Sequence, residues 1–123
     1  MGRWLCLGAW VLLAVSAAPA QDPVKVDPKH NKVEFENEQV RVLRVRVGPH
    51  EKSPMHEHPA YVSVFLTDVS VKHTYPDGKG DVGHGQAGGT AWSAGVKHAG
   101  ENLSDKPAEL IVVELKGKPA SKK

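Results

Sequence analysis

An all-β fold, one antiparallel barrel or sandwich, is what this sequence predicts, and three observations carry the prediction. Beyond residue 20 no segment spaces its apolar residues as an amphipathic helix requires. Several short segments instead alternate apolar with polar residues, or are dense in β-branched and aromatic ones. Turn-forming residues separate them, most plainly Tyr75-Pro76-Asp77-Gly78 and the glycines between Lys79 and Gly89. The chain has 123 residues, which suits one domain and not two.

The elements follow in order. Arg3 precedes an almost wholly apolar stretch, Trp4 to Ala18, and Ala18-Pro19-Ala20 fits the small-x-small rule. Residues 1–20 are therefore expected to be a secretory signal peptide cleaved near Ala20-Gln21, which makes the product periplasmic or secreted. A membrane anchor would need roughly 20 apolar residues and a charged stop, so no membrane attachment is expected after cleavage. The leader holds Cys6, the only cysteine, so the mature protein has neither disulfide nor thiolate. Loss of Arg3 takes the formal charge from +2 to +1. With no basic stripe beyond Lys116, Lys118, Lys122 and Lys123, nucleic acid is not expected as a partner.

Residues 21–37 form an N-terminal part: a polar segment from Asp22 to Asn31 with Pro23 and Pro28, expected to be an extended arm, then an edge strand from Lys32 to Glu36. The domain proper spans 38–116, and 117–123 is a basic, frayed tail. Glu38 to Val47 is the clearest strand, yet its apolar phase switches from Val40 and Val42 to Leu43, Val45 and Val47. One extra residue near Val42-Leu43 would restore a single inner face, which predicts a bulge there. Tyr61 to Leu66, Val69 to Tyr75 and Thr90 to Trp92 are further strands, and Lys79 to Gly89 is a glycine-rich loop. Glu109 to Leu115 is a near-continuous apolar run, expected to be buried on both faces.

Within this frame the chemistry concentrates in His56-Glu57-His58, answered by His98 and Asn102. Strand side chains alternate faces, so histidines two apart share one face and can grip one ion. A third imidazole from a neighbouring strand completes a facial set of neutral nitrogen ligands. Alternation turns Glu57 outward.

The element order and the two histidine segments resemble a single-domain cupin, a small antiparallel jelly-roll barrel. Its first motif, G-x5-H-x-H-x(3,4)-E-x6-G, is met here as His50-x5-His56-x-His58, and its second, G-x5-P-x-G-x2-H-x3-N, as Gly95-x2-His98-x3-Asn102. Ser53-Pro54-Met55-His56-Glu57-His58-Pro59, Tyr61-Val62 and Glu101-Asn102-Leu103-Ser104 are similar to the small cupins labelled with β-alanine degradation. The resemblance implies a divalent metal held by His56, His58 and His98, with iron, zinc, manganese, nickel and copper not distinguished by the residues.

Three departures bear on the site. His50 replaces the first glycine, at a turn that favours positive φ, and Ser93 replaces the proline. The glutamate is missing, its place held by Tyr61 and Val62. Val62 has the parity of His56 and His58, so in an unbroken strand Val62 and Val64 would wall the pocket. Tyr61, Trp92 and Asn102 complete the expected lining. The expectation is a neutral three-histidine site against an apolar wall.

His73, at the parity of Val69, Val71 and Tyr75, is either a satisfied core histidine or the one candidate proton carrier in the pocket. His30 and His84 are read as incidental loop residues. The resulting function is an exported small cupin with a three-histidine metal site and a small-molecule ligand. One reading makes it a dioxygenase-like enzyme acting on a small carboxylate or dicarbonyl. The alternatives are a non-catalytic cupin that binds a metal or small ligand, and a barrel that has lost its metal. Edge strands suggest a homodimer.

Overall fold

The structure, a computed structural model, describes residues 21–117. The expected signal peptide, its cleavage point, Cys6 and the tail from residue 118 lie outside the described residues. The expected arm is instead one turn of helix, α1 (Pro23–Val26). Asp22 caps it by accepting the Val24 N–H at 2.9 Å, and Pro23 occupies the first turn, where a missing N–H costs nothing. Pro28 disfavours a helical Asp27, and the helix stops there.

Nine strands follow among the described residues. They are β1 (Asn31–Glu36), β2 (Val40–Val47), β3 (Lys52–His58), β4 (Tyr61–Phe65), β5 (Val69–Thr74), β6 (Gly80–Gly85), β7 (Thr90–Ser93), β8 (Val96–Asn102) and β9 (Ala108–Leu115). They build a five-stranded sheet, β1-β2-β9-β4-β7, and a four-stranded sheet, β3-β8-β5-β6, with every pair antiparallel. The inner face carries Leu43, Val45 and Val47 from β2 and Ala108, Leu110 and Val112 from β9; Leu43 is wholly buried.

Two expectations about these strands are corrected. β2 runs against β9 in unbroken register, so the phase switch is not a bulge in β2. The extra residue is Glu34 in the partner strand, between the pairs Val33–Leu43 and Phe35–Val42. β2 keeps a polar residue on its inner parity, Arg41, because a buried carboxylate awaits it there. Part of the glycine-rich segment is also strand: β6 pairs with β5 from Gly80 to Gly85 and contains His84. A Cβ on Gly85 would lie 2.7 Å from the Phe65 ring, and one on Gly83 would lie 3.1 Å from His73 Cε1. The glycines that signal a loop in the sequence serve close approach here.

Candidate metal centre

His56 and His58 sit on β3, and His98 lies directly across from His56 on β8. A second bulge sets their direction: between the pairs Ser53–Gly100 and His56–His98, β3 has one residue more than β8. Ser53, His56 and His58 all line the same cavity. Pro54 falls in the bulge, where a residue without an N–H is tolerated. Its carbonyl accepts the His56 Nδ1–H at 2.7 Å. The turn before β8 rests on Gly95, whose φ of 117° suits glycine.

The three buried histidines each offer a ring nitrogen within 4.8 Å of the others. Ring centroids stand 4.8 Å apart for His56–His58 and for His56–His98, and 5.7 Å apart for His58–His98. Behind His58, Glu114 Oε2 accepts its Nδ1–H at 2.7 Å. Glu114 Oε1 is held by Arg41 Nε at 2.7 Å, and Arg41 Nη1 meets Asp22 Oδ2 at 2.8 Å. Carbonyl and carboxylate acceptors on Nδ1 favour the Nδ1–H tautomers of His56 and His58 and leave the Nε2 lone pair of each ring free.

Electrostatics keep His56 and His98 in the ligand form. Burial pushes His56 down, and the neighbouring His58 adds to the effect against the opposing Pro54 hydrogen bond. Burial takes His98 to about 3, helped by His56, His73 and His58. Burial alone would raise the Glu114 carboxyl, but hydrogen bonds from His58 and Arg41 outweigh it and hold it below the usual carboxylate range. The donor set therefore fits a divalent ion: three imidazoles, two with Nδ1 engaged by an acceptor, backed by one anionic carboxylate.

The cavity has a volume of about 110 Å³ and is walled by Val45, Val47, Val71, Leu110 and Val112. Its β4 wall corrects the expectation. β3 ends at His58 and the chain crosses to the other sheet at Pro59-Ala60, so strand parity does not carry over. Tyr61 and Ser63, opposite inward Glu114 and Val112, line the cavity, while Val62 and Val64 take the outer parity. The Tyr61 ring lies 5.0 Å from that of His58, and burial raises its phenol pKa. Trp92 stands on edge strand β7, 62% exposed, at the lip of a second cavity that also meets Tyr61 and His73.

His73 lines the histidine cavity, stacked on His98 with centroids 5.0 Å apart and planes 5° apart. Its Nδ1 meets Asp81 Oδ1 at 3.0 Å. Asn102 lines the cavity too, yet its amide ties loops together: Nδ2 donates to the carbonyls of Val47, Gly48 and Lys106, and Oδ1 accepts the Ser104 N–H. His50 takes the positive φ its turn requires, 57°, and pairs with Asp105 at 2.6 Å. Glu57 is exposed. His30 is not incidental: it is buried at the cavity wall, with Asp27 on Nδ1 at 2.8 Å.

Sequence reasoning missed Glu114 and Arg41, although a signal for each was present. Glu114 has the parity of Ala108, Leu110 and Val112, and Arg41 that of Leu43, Val45 and Val47. An ion pair on two inner faces mimics a phase error when each strand is read alone.

No family model and no curated protein matches the sequence. Solved structures do. A cupin domain from Bordetella pertussis superimposes with a TM-score of 0.65 at 27% identity, over 71% of this chain and 92% of that one. A protein with a double-stranded β-helix domain from Klebsiella pneumoniae gives 0.57 at 20% identity, over 73% and 78%. Oxalate decarboxylase from Bacillus subtilis, described with Mn(II) centres, gives 0.50 at 20% identity, over 67% of this chain and 23% of that one. The chain has the cupin fold, the double-stranded β-helix, with three buried histidines together in its barrel.

Proposed function

We propose that this protein is an exported small cupin that holds one divalent metal ion through His56, His58 and His98 and acts, in a dioxygenase-like manner, on a small carboxylate or dicarbonyl. One observation carries the reading: Pro54 and Glu114 occupy Nδ1 of His56 and His58, so both rings are prepared to ligate through Nε2. A bound divalent ion would supply Lewis acidity and open positions for an oxygen-donor ligand. The protein supplies the rest. Burial keeps His98 neutral, Glu114 makes His58 a stronger donor, and valines and leucines give the cavity an apolar wall.

Size narrows the ligand. An apolar cavity of about 150 Å³ takes benzene, so the space here, about 110 Å³, suits an acid or dicarbonyl of a few carbons. His73 favours an enzyme over a passive binder. Asp81 engages its Nδ1 and leaves Nε2 able to accept a proton, the arrangement of an oriented general base. The finer kinship with small cupins labelled β-alanine degradation belongs to this proposal, resting on the Ser53–Pro59 segment.

Oxygen uptake by the iron-loaded protein, measured over a panel of small carboxylates and dicarbonyls, tests the catalytic part. Substrate-dependent uptake that falls at least about ten-fold in His73→Phe is the expected result. Metal-loaded protein that binds panel members without turnover would make it a binding module instead.

A further inference from the structure

Beside the histidine cavity lies the second one, of about 220 Å³. The two adjoin along Tyr61, Ser63, Val71, His73 and Leu110, which line both. Their linings differ in kind. The first carries His56, His58 and His98, whereas Phe65, Val69, Val71, Ala91 and Leu110 wall the second. Among the described residues no lysine, arginine, aspartate or glutamate lines that second space. A carboxylate moved there would lose its hydration without gaining a charged partner, whereas an uncharged apolar group is favoured. Small residues leave the room. Ser63 on β4 stands between Val112 of β9 and Ala91 of β7, so the three share the inner face, and Ala91 adds only a methyl group. On β6, Gly83 adds no side chain; a Cβ there would stand 3.1 Å from His73 Cε1. Phe65, whose ring is seated against Gly85, and Tyr61 give the space two aromatic walls.

We propose that the second cavity receives an aryl group carried by the ligand of the histidine cavity, so that the substrate is an aryl-substituted α-oxo acid, an assignment that rests on the metal reading and narrows its ligand. Three properties select this class. Size is the first. Benzene fits a cavity of about 150 Å³, so about 220 Å³ holds a phenyl ring, while the histidine cavity, at about 110 Å³, holds the few carbons of the head. Polarity is the second. The apolar walls leave the ligand's oxygens one place to go, beside the three histidines, and an α-oxo acid is a compact head with both a carboxylate and a second carbonyl. Aromatic lining is the third: Tyr61 and Phe65 offer ring faces and edges that an aryl group meets better than an alkyl chain does. Tyr61, Ser63 and His73 then stand where the head joins the ring.

The test is calorimetric titration of zinc-loaded protein with three α-oxo acids that share one head: pyruvate, the isobutyl analogue derived from leucine, and phenylpyruvate. Zinc content is measured on the same samples. Phenylpyruvate is expected to bind at least about ten-fold tighter than pyruvate, with the isobutyl compound between them. Its ring is expected to shift the amide resonances of Val69 and Ala91, which pyruvate leaves in place. Ala91→Trp fills the second cavity from an exposed edge-strand position. That variant is expected to lose the preference for phenylpyruvate while keeping its zinc and its affinity for pyruvate. Should it fail to fold, Ala91→Leu is expected to reduce the same preference. Zinc-loaded protein that binds the three acids equally, favours the isobutyl compound or binds none of them overturns this inference and leaves the metal reading standing. A preference that survives in folded Ala91→Trp overturns it too. A protein that retains no zinc overturns both.

Discussion

Glu114 decides what kind of ligand His58 can be. A carboxylate on Nδ1 holds the ring in one tautomer and raises its basicity, and such partners are worth about 10–100-fold in metal affinity. Glu114→Gln is therefore expected to weaken zinc binding by that factor in competition with a chelator, while the thermal midpoint of the metal-free protein moves less than for Arg41→Met. Arg41→Met leaves Glu114 buried without its cation, a change that costs about 3 kcal/mol; denaturant titration measures it. His98 makes the second prediction. Its ring has a pKa of about 3 in the fold against 6.5 free. The unfolded chain takes up the proton first as pH falls, so the neutral ring's contribution is complete above 6.5 and is lost progressively as pH drops from 6.5 toward 3. Metal-free protein should melt at steadily lower temperature across that window, and His98→Phe should flatten the slope. An equal slope in the variant would assign the effect to other groups.

At the scale of elements, two irregularities position the chemistry. The bulge at Pro54-Met55 frees a carbonyl for His56 and keeps Ser53, His56 and His58 on one wall. The glycines of β6 let that strand lie against Phe65 and His73. Gly85→Ala is expected to cost about 1–3 kcal/mol by thermal or denaturant unfolding, because the Phe65 ring must leave its place. An unchanged midpoint would show that the ring moves freely. These elements also show how far the sequence can be read. The H-x-H pair and His98 were legible because alternation and family-like spacing are local properties. The wall formed by Tyr61 and Ser63 was not, because Pro59-Ala60 carries the chain to another sheet and resets its parity. The Asp22–Arg41–Glu114 chain was illegible for a different reason: its members come from three elements far apart in sequence, and only sheet register brings them together.

For the whole molecule, the cupin fold was accessible from strand count, turn residues and the two motifs, and the solved cupin structures support it. The absent motif glutamate predicted a site of three histidines with no carboxylate near them, and there the structure differs. A carboxylate returns from β9, one ring away from the point where the three histidines meet, and is balanced by Arg41. The central claim is that His56, His58 and His98 together hold one metal ion. The most direct test is metal content per chain after loading with zinc and exhaustive dialysis, compared between wild type and His98→Ala. One ion per wild-type chain, with clear loss of retention in the variant, is the predicted result. A wild type that retains no zinc, or a variant that retains as much as the wild type, would contradict the account.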